Sequence, residues 1–263
     1  MPLADGIHYE IEGKGPPVLL ISGLGGHARS MGPLRERLTN AFTVISHDHR
    51  GTGRSVHSDG PYSVAGMAED AFLVLDAIGI DRASVVGHST GGAIALQMAL
   101  ARPARIGRVV ASAAWARSDA YFRALFAARL DALAKGGAGD YQRLAALATF
   151  PPDWIARHPE AFASALKAGA AELSSARIVA ARIAAILDFD ILDSLPGISA
   201  EVLSIIAADD RVVPPHMSHA AAARLAQSTI VTLPWGGHAS IALEAEAFAK
   251  AVRTFLLFGQ AAP

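Results

Sequence analysis

A mostly parallel β-sheet covered on both faces by helices is the fold class that this sequence predicts, and three observations predict it. Short, nearly continuous apolar runs recur along the chain, as they do in strands buried on both faces. Stretches with apolar residues at helical spacing lie between several of these runs. The runs close on turns rich in Gly, Asp and His, which would place polar groups at the carboxyl edge of the sheet, where such folds bind ligands.

The elements follow in order. Gly6–Ile11 reads as an antiparallel edge strand. Residues 17–22 form an apolar run closed by Gly23-Leu24-Gly25-Gly26, and 42–46 a second run ending at His47-Asp48-His49-Arg50-Gly51-Thr52-Gly53. Residues 67–78 place Phe72, Leu75 and Ile78 on one helical face, with Gly79 positioned to end the helix. The run 83–87 leads through a turn into a helix over 93–100, and 109–111 is a further strand. From Trp115 to Asp190 no strand pattern occurs. Ala-, Leu- and Arg-rich helical segments, broken at Gly136-Gly137, Pro151-Pro152 and Pro159, make this an insertion too long for a simple crossover. Strands resume at 202–206 and 229–233, with helices over 218–226 and 241–257. The expected division is therefore a core over 1–114, a helical insertion over 115–190, and the rest of the core over 191–263.

Composition narrows the function classes. A chain of 263 residues that is 52% hydrophobic has ample material for one large core. Lys+Arg 23 against Asp+Glu 24 leaves a net charge of −1, which argues against a nucleic-acid surface and a polybasic membrane anchor. The absence of cysteine excludes disulfides, a Cys nucleophile and thiolate metal sites. Residues 1–6 lack the basic and apolar regions of a signal peptide, and no window is long and apolar enough to span a bilayer, so a cytoplasmic protein without membrane contact is expected.

The chemistry concentrates at three strand ends. Gly87-His88-Ser89-Thr90-Gly91 follows a buried strand and precedes a helix, the setting in which a sharp turn lifts a serine out of the sheet. A serine hydroxyl needs a base to act as nucleophile at neutral pH. The later strand ends supply Asp209-Asp210 and His238, in the order acid then histidine. Of the two carboxylates, Asp210 is the expected orienting acid, with Asp209 as a turn residue satisfying local amides; the pair stays open at this stage. An oxyanion would be held by the N–H groups of Thr90 and of Leu24 in the glycine turn. His88 should point away from the nucleophile. His47-Asp48-His49 and His216/His219 have metal-like spacing without three convergent ligands, so no metal is expected. The arginines of 117–182 are expected mostly on solvated helix faces, with Arg182 the candidate to reach a substrate carboxylate.

With these residues in view, the chain resembles the α/β-hydrolase superfamily over essentially its whole length. The resemblance rests on Leu20–Gly26, Asp48-His49-Arg50-Gly51-Thr52-Gly53-Arg54-Ser55, Gly87–Gly92, Asp210 with Pro214, and Gly237-His238. It implies a mostly parallel twisted sheet of about eight strands with the insertion as a helical cap after the sixth. It also implies that the stretch from Asp48 is a structural turn. Closer similarity is to the RutD-type aminoacrylate or carbamate hydrolases, through the Ile21–Gly26 turn, Arg50–Gly53, Val85–His88, Gly236–Ala239, Phe150–Ala156 and Asp188-Phe189. The 3-oxoadipate enol-lactonases are next. Two departures matter: not every RutD-type sequence carries serine at the position of Ser89, and Met31 stands near where many family members place a bulky aromatic.

The expected activity is that of a cofactor-free serine hydrolase cleaving a small ester, lactone, carbamate or amide-like bond. Ser89, His238 and Asp210 would form the triad, Leu24 and Thr90 the oxyanion hole, and Gly25, Met31, Trp115, Trp154 and Arg182 the substrate contacts. The same triad also suits a C–C hydrolase or a cofactor-free peroxidase, and the capped pocket suits a non-catalytic small-molecule receptor. The partner is a small molecule, and the chain is expected as a monomer or homodimer.

Overall fold

The computed structural model describes residues 2–259. Eight strands form one sheet: β1 (Leu3–Ala4), β2 (Ile7–Glu12), β3 (Pro17–Ile21), β4 (Thr43–His47), β5 (Ala83–His88), β6 (Ile106–Ser112), β7 (Val202–Ala207) and β8 (Ser228–Leu233), in spatial order β1-β2-β4-β3-β5-β6-β7-β8. All neighbours from β4 to β8 are parallel, while β1 and β2 run antiparallel at one end. The strand over 6–11 is thus second from the edge. Leu3–Ala4 lies outside it, too short to show a strand pattern in the sequence.

Alternation along the strands explains why the runs are continuously apolar. In β3, Leu19 and Ile21 join one core cluster, while Val18 and Leu20 join the other. Successive side chains leave a strand on opposite faces, so a strand covered on both sides favours apolar residues at every position. One face is covered by α2 (Val64–Ala77) and α3 (Thr90–Ala101), through residues such as Phe72 and Ile94. The other is covered by α1 (Gly32–Leu38) and, near the end of the chain, by the helix over Ala245–Phe258, through Leu34 and Phe248. The chain passes from β3 to β4 on one side and returns to β5 on the other. The turns that follow β3 and β5 therefore diverge and open a crevice at the carboxyl edge.

Four helices lie between β6 and β7: α4 (Ala120–Thr149), α5 (Pro152–Arg157), α6 (Pro159–Ala171) and α7 (Ala176–Asp188). Asp119 caps α4 by accepting from the Phe122 amide at 2.8 Å, and Ser175 caps α7 by accepting from Ile178 at 3.3 Å. The 30-residue α4 bends at Gly137, whose φ of +67° is non-helical, and prolines open α5 and α6. An isolated bridge pairs Arg117 with Asp190, reinforced by an ion pair at 2.7 Å, so both ends of the segment leave the core side by side. After β7 come α8 (Pro215–Ala222), then, after β8, α9 (Ser240–Leu243) and α10 (Ala245–Phe258). Among the described residues, no helix is long and apolar enough to cross a membrane.

Candidate active site

Ser89 sits at the tip of the turn between β5 and α3 with φ +57° and ψ −122°. A non-glycine residue in that region costs about 1–3 kcal/mol, and the surroundings must hold it there. Its amide donates to the Ser112 carbonyl at 2.8 Å. The flanking glycines allow the turn to close, because a Cβ on Gly87 would collide with the Gly91 carbonyl and one on Gly91 with the Ile21 carbonyl. Serine is a favoured N-cap residue. Ser89 occupies the N-cap position of α3 yet makes no side-chain cap bond, so its hydroxyl is not spent on the helix.

Asp210 follows β7 and is buried. Its Oδ1 accepts from the amides of Val212 at 2.8 Å and Val213 at 3.0 Å, and its Oδ2 pairs with His238 Nδ1 at 2.8 Å. Burial opposes ionisation, but the His238 charge and these hydrogen bonds outweigh it and hold the carboxyl below its usual range. An ionised carboxylate only accepts, so Nδ1 carries the hydrogen and Nε2 is left as the basic nitrogen. Asp209 faces elsewhere: its Oδ1 accepts from the Gly237 amide at 2.8 Å and fixes the loop that carries His238.

His88 lies beside the histidine of this pair. Its ring centroid lies 4.9 Å from that of His238. Its Nε2 meets the His238 carbonyl at 3.0 Å and its Nδ1 the Ser112 hydroxyl at 3.2 Å. A carbonyl cannot donate, so Nε2 carries the hydrogen and Nδ1 accepts. Burial, aided by the neighbouring His238, pushes its pKa down to about 3, so the ring is neutral.

Ser89 and His238 open onto one cavity of about 400 Å³, which Leu24, Gly25 and Met31 also line. In this conformation no hydrogen bond joins the Ser89 hydroxyl to the His238 ring among the described residues; such contacts often tighten only when substrate is bound. The Gly26 amide donates to the Gly23 carbonyl at 2.9 Å, closing the turn after β3, and the Leu24 amide has no protein acceptor among the described residues. Thr90 follows Ser89 directly and is buried, and as the first residue of α3 its amide has no acceptor within the helix.

Arg182, from α7, lines the cavity but its donors are largely engaged. It donates to the carbonyls of Arg50 and Leu24, both at 2.9 Å, and to His49 Nδ1 at 3.0 Å. It thereby ties the inserted helices to the turn after β3. Two expected substrate contacts are corrected. Trp115 is buried in the main core with its ring centroid 4.7 Å from Phe122, because the chain still packs under the sheet edge there before entering the insertion. Trp154 stacks on Phe150 at 4.6 Å and 15° and is not among the residues that line the cavity.

The other histidines have local partners. His47 and His49 stack at 5.2 Å within the core. Asp48 accepts from the amides of Ala28 and Arg54, and Arg50 pairs with Asp70 at 2.7 Å, so this stretch braces a turn. His216 pairs with Asp119 at 2.6 Å. The sequence reading missed Arg129, Tyr141 and Gln142 of α4, all on the cavity wall. A signal for Arg129 was present: it continues the apolar stripe of Phe122 and Phe126 at i+7, as Arg182 does that of Ile178 at i+4.

Comparison with known proteins agrees with this architecture. Residues 16–245 match the family model described as the alpha/beta hydrolase fold. The chain is 38% identical over 258 residues to a putative carbamate hydrolase RutD of Caulobacter vibrioides, covering 96% of each, and 38% identical over 254 residues to one of Variovorax paradoxus. Its structure is similar to that of the enol-lactonase from Burkholderia xenovorans LB400, with TM-score 0.87, 26% identity, and 95% and 96% of the two chains covered. It is similar also to a hydrolase from Pseudomonas aeruginosa PA01, with TM-score 0.87, 28% identity, and 95% and 94% covered. The chain belongs to the alpha/beta hydrolase fold family and is a hydrolase.

Proposed function

We propose that the protein is a serine hydrolase that cleaves a small carbamate, ester, lactone or amide-like bond through an acyl-enzyme, without a cofactor, with residues 115–190 as the cap over its site. The observation that carries this reading is the Asp210–His238 pair at 2.8 Å, opening onto the same cavity as a serine held on a strained turn. Ser89 Oγ attacks the substrate carbonyl as His238 Nε2 takes its proton, and Asp210 holds the ring tautomer and stabilises the imidazolium. The amides of Leu24 and Thr90 receive the oxyanion. His238 then returns the proton to the leaving group. A water activated by the same nitrogen clears the acyl group, regenerating the Ser89 hydroxyl and releasing the acid. The carbamate assignment draws on the RutD relatives, which match along 96% of both chains. A lactone is the second reading, favoured by the likeness to the enol-lactonase.

Intact-mass spectrometry after exposure to a fluorophosphonate tests the mechanism. One adduct is expected on Ser89, lost in His238→Ala, and Ser89→Ala should lower kcat by about 10⁴–10⁶. A folded wild-type protein that gains no adduct, or a Ser89→Ala variant within tenfold of wild type, would overturn it.

A further inference from the structure

The wall of the active-site cavity carries two positive charges that the protein does not neutralise. Arg129 of α4 and Arg182 of α7 are 9% and 2% exposed, both line the cavity, and neither forms an ion pair among the described residues. Among the described residues, the only carboxylate on the same wall, Glu172, is half-exposed and is taken by Arg29. Asp70, which bears weakly on Arg182, is held by Arg50 at 2.7 Å. Burial lowers the pKa of both guanidiniums, that of Arg182 to about 10, and an arginine side chain stays protonated inside proteins. A buried charge without a counter-ion is strongly unfavourable, and natural cores rarely retain one unless something pairs with it.

The two arginines are held differently. Arg182 gives its Nη donors to protein carbonyls and to His49, so it acts as a fixed charge beside the turn that carries Leu24. Arg129 packs against two rings, its Cζ 4.8 Å from the centroid of Phe126 and 4.6 Å from that of Tyr141. Its sole hydrogen bond among the described residues runs from Nη2 to the Tyr141 hydroxyl at 2.7 Å, and its Nε is buried with no partner. The guanidinium is packed against two rings and keeps most of its N–H donors unspent, and such a fork receives a planar carboxylate by two parallel hydrogen bonds. Both arginines line the one cavity that Ser89 and His238 also line, so two positive charges face the same ligand space.

We propose that the substrate carries a carboxylate remote from its scissile carbonyl, and that Arg129, framed by Phe126 and Tyr141, is the residue that seats it, with Arg182 supplying the second charge. This rests on the serine-hydrolase reading above. An uncharged substrate would leave both buried guanidiniums without a counter-charge, so the site selects for anions.

The test compares two esters of nearly equal shape, monomethyl succinate and methyl butanoate, and reads the ratio of their kcat/KM values. Wild type should favour the anionic ester by about tenfold to a hundredfold, the range of a hydrogen-bonded charge pair. Arg129→Met should collapse the ratio at least tenfold, and Arg129→Lys should keep part of it. A second arm reads the shift in Tm caused by succinate at fixed ionic strength, which is expected in wild type and lost in Arg129→Met. A wild-type preference for the neutral ester overturns the proposal, as does a folded Arg129→Met variant that slows both esters equally. A shift from inorganic phosphate as large as that from succinate overturns the carboxylate assignment. If Ser89 fails to react with a fluorophosphonate while succinate still stabilises wild type and not Arg129→Met, the hydrolase reading fails and the anion site stands. If Ser89 reacts and succinate has no effect, the reverse holds.

Discussion

Asp209 and Asp210 are adjacent and chemically identical, and their backbone positions separate their tasks. Asp210 accepts two amides with one oxygen and His238 with the other, whereas Asp209 accepts the amide of Gly237. Asp210→Asn should therefore lower kcat by about 10⁴ with little change in fold, because an amide cannot hold the same imidazole tautomer. Asp209→Ala removes a loop anchor and should cost about 1 kcal/mol of stability and far less activity. Steady-state kinetics on the two variants, with urea unfolding alongside, checks the division; a larger kcat loss in Asp209→Ala would reverse it. His88 belongs at this scale too. By donating to the His238 carbonyl it braces the residue from behind, a contact between positions 150 apart that sequence spacing could not reveal.

At the scale of elements, the turn after β5 depends on how closely strand and helix approach. The Gly91 Cα faces the Ile21 carbonyl at the end of β3, and a methyl group there has no space to enter. Gly91→Ala should destabilise the protein by about 3 kcal/mol or more, since the obstacle is backbone and not a flexible side chain. In a chain of this length that corresponds to a Tm lowered by roughly 6–12 °C, measurable by thermal denaturation; a Tm within 2 °C of wild type would show that the turn relaxes. The inserted helices are tied to the core by comparable contacts. Arg182 holds the carbonyls of Arg50 and Leu24, and Arg211 holds those of Leu147 and Phe150 at 2.7 and 2.6 Å.

For the whole molecule, buried histidines dominate the response to acid. Burial pushes the pKa of His47 down to about 4 and of His88 to about 3, and that of His49 well below its ordinary value. In the unfolded chain each binds a proton near pH 6.5. The unfolded state therefore takes up protons first as the pH falls. The stability these rings contribute is present above pH 6.5 and is lost below it, by about 1.4 kcal/mol per pH unit for each ring until its folded value is reached. Urea midpoints should be level from pH 7 to 8 and fall steeply between pH 6 and 4. A flat profile across that window would show that the rings are accessible to protons in the folded state.

How much of this was legible in the sequence follows from the range of each interaction. Chain order alone marks Ser89, the Asp209-Asp210 pair and His238 as candidates, because each stands at the end of an apolar run, and in a parallel sheet those ends share one edge. The helix breaks at Gly137, Pro152 and Pro159 are local backbone effects, readable residue by residue. Trp115 and Trp154 misled for the complementary reason. An aromatic ring suits a pocket and a core equally well, and only the path of the chain out of β6 decides which it enters. Arg129 and Arg182 stood on apolar helical stripes, a visible anomaly. Their meaning depends on the helices folding back until two cations, 53 residues apart in the chain (182 − 129), line one cavity and neither forms an ion pair among the described residues. Periodicity fixes which side of a helix is buried; only tertiary packing decides what that side is buried against, and in this protein that decision assembles the walls of the site.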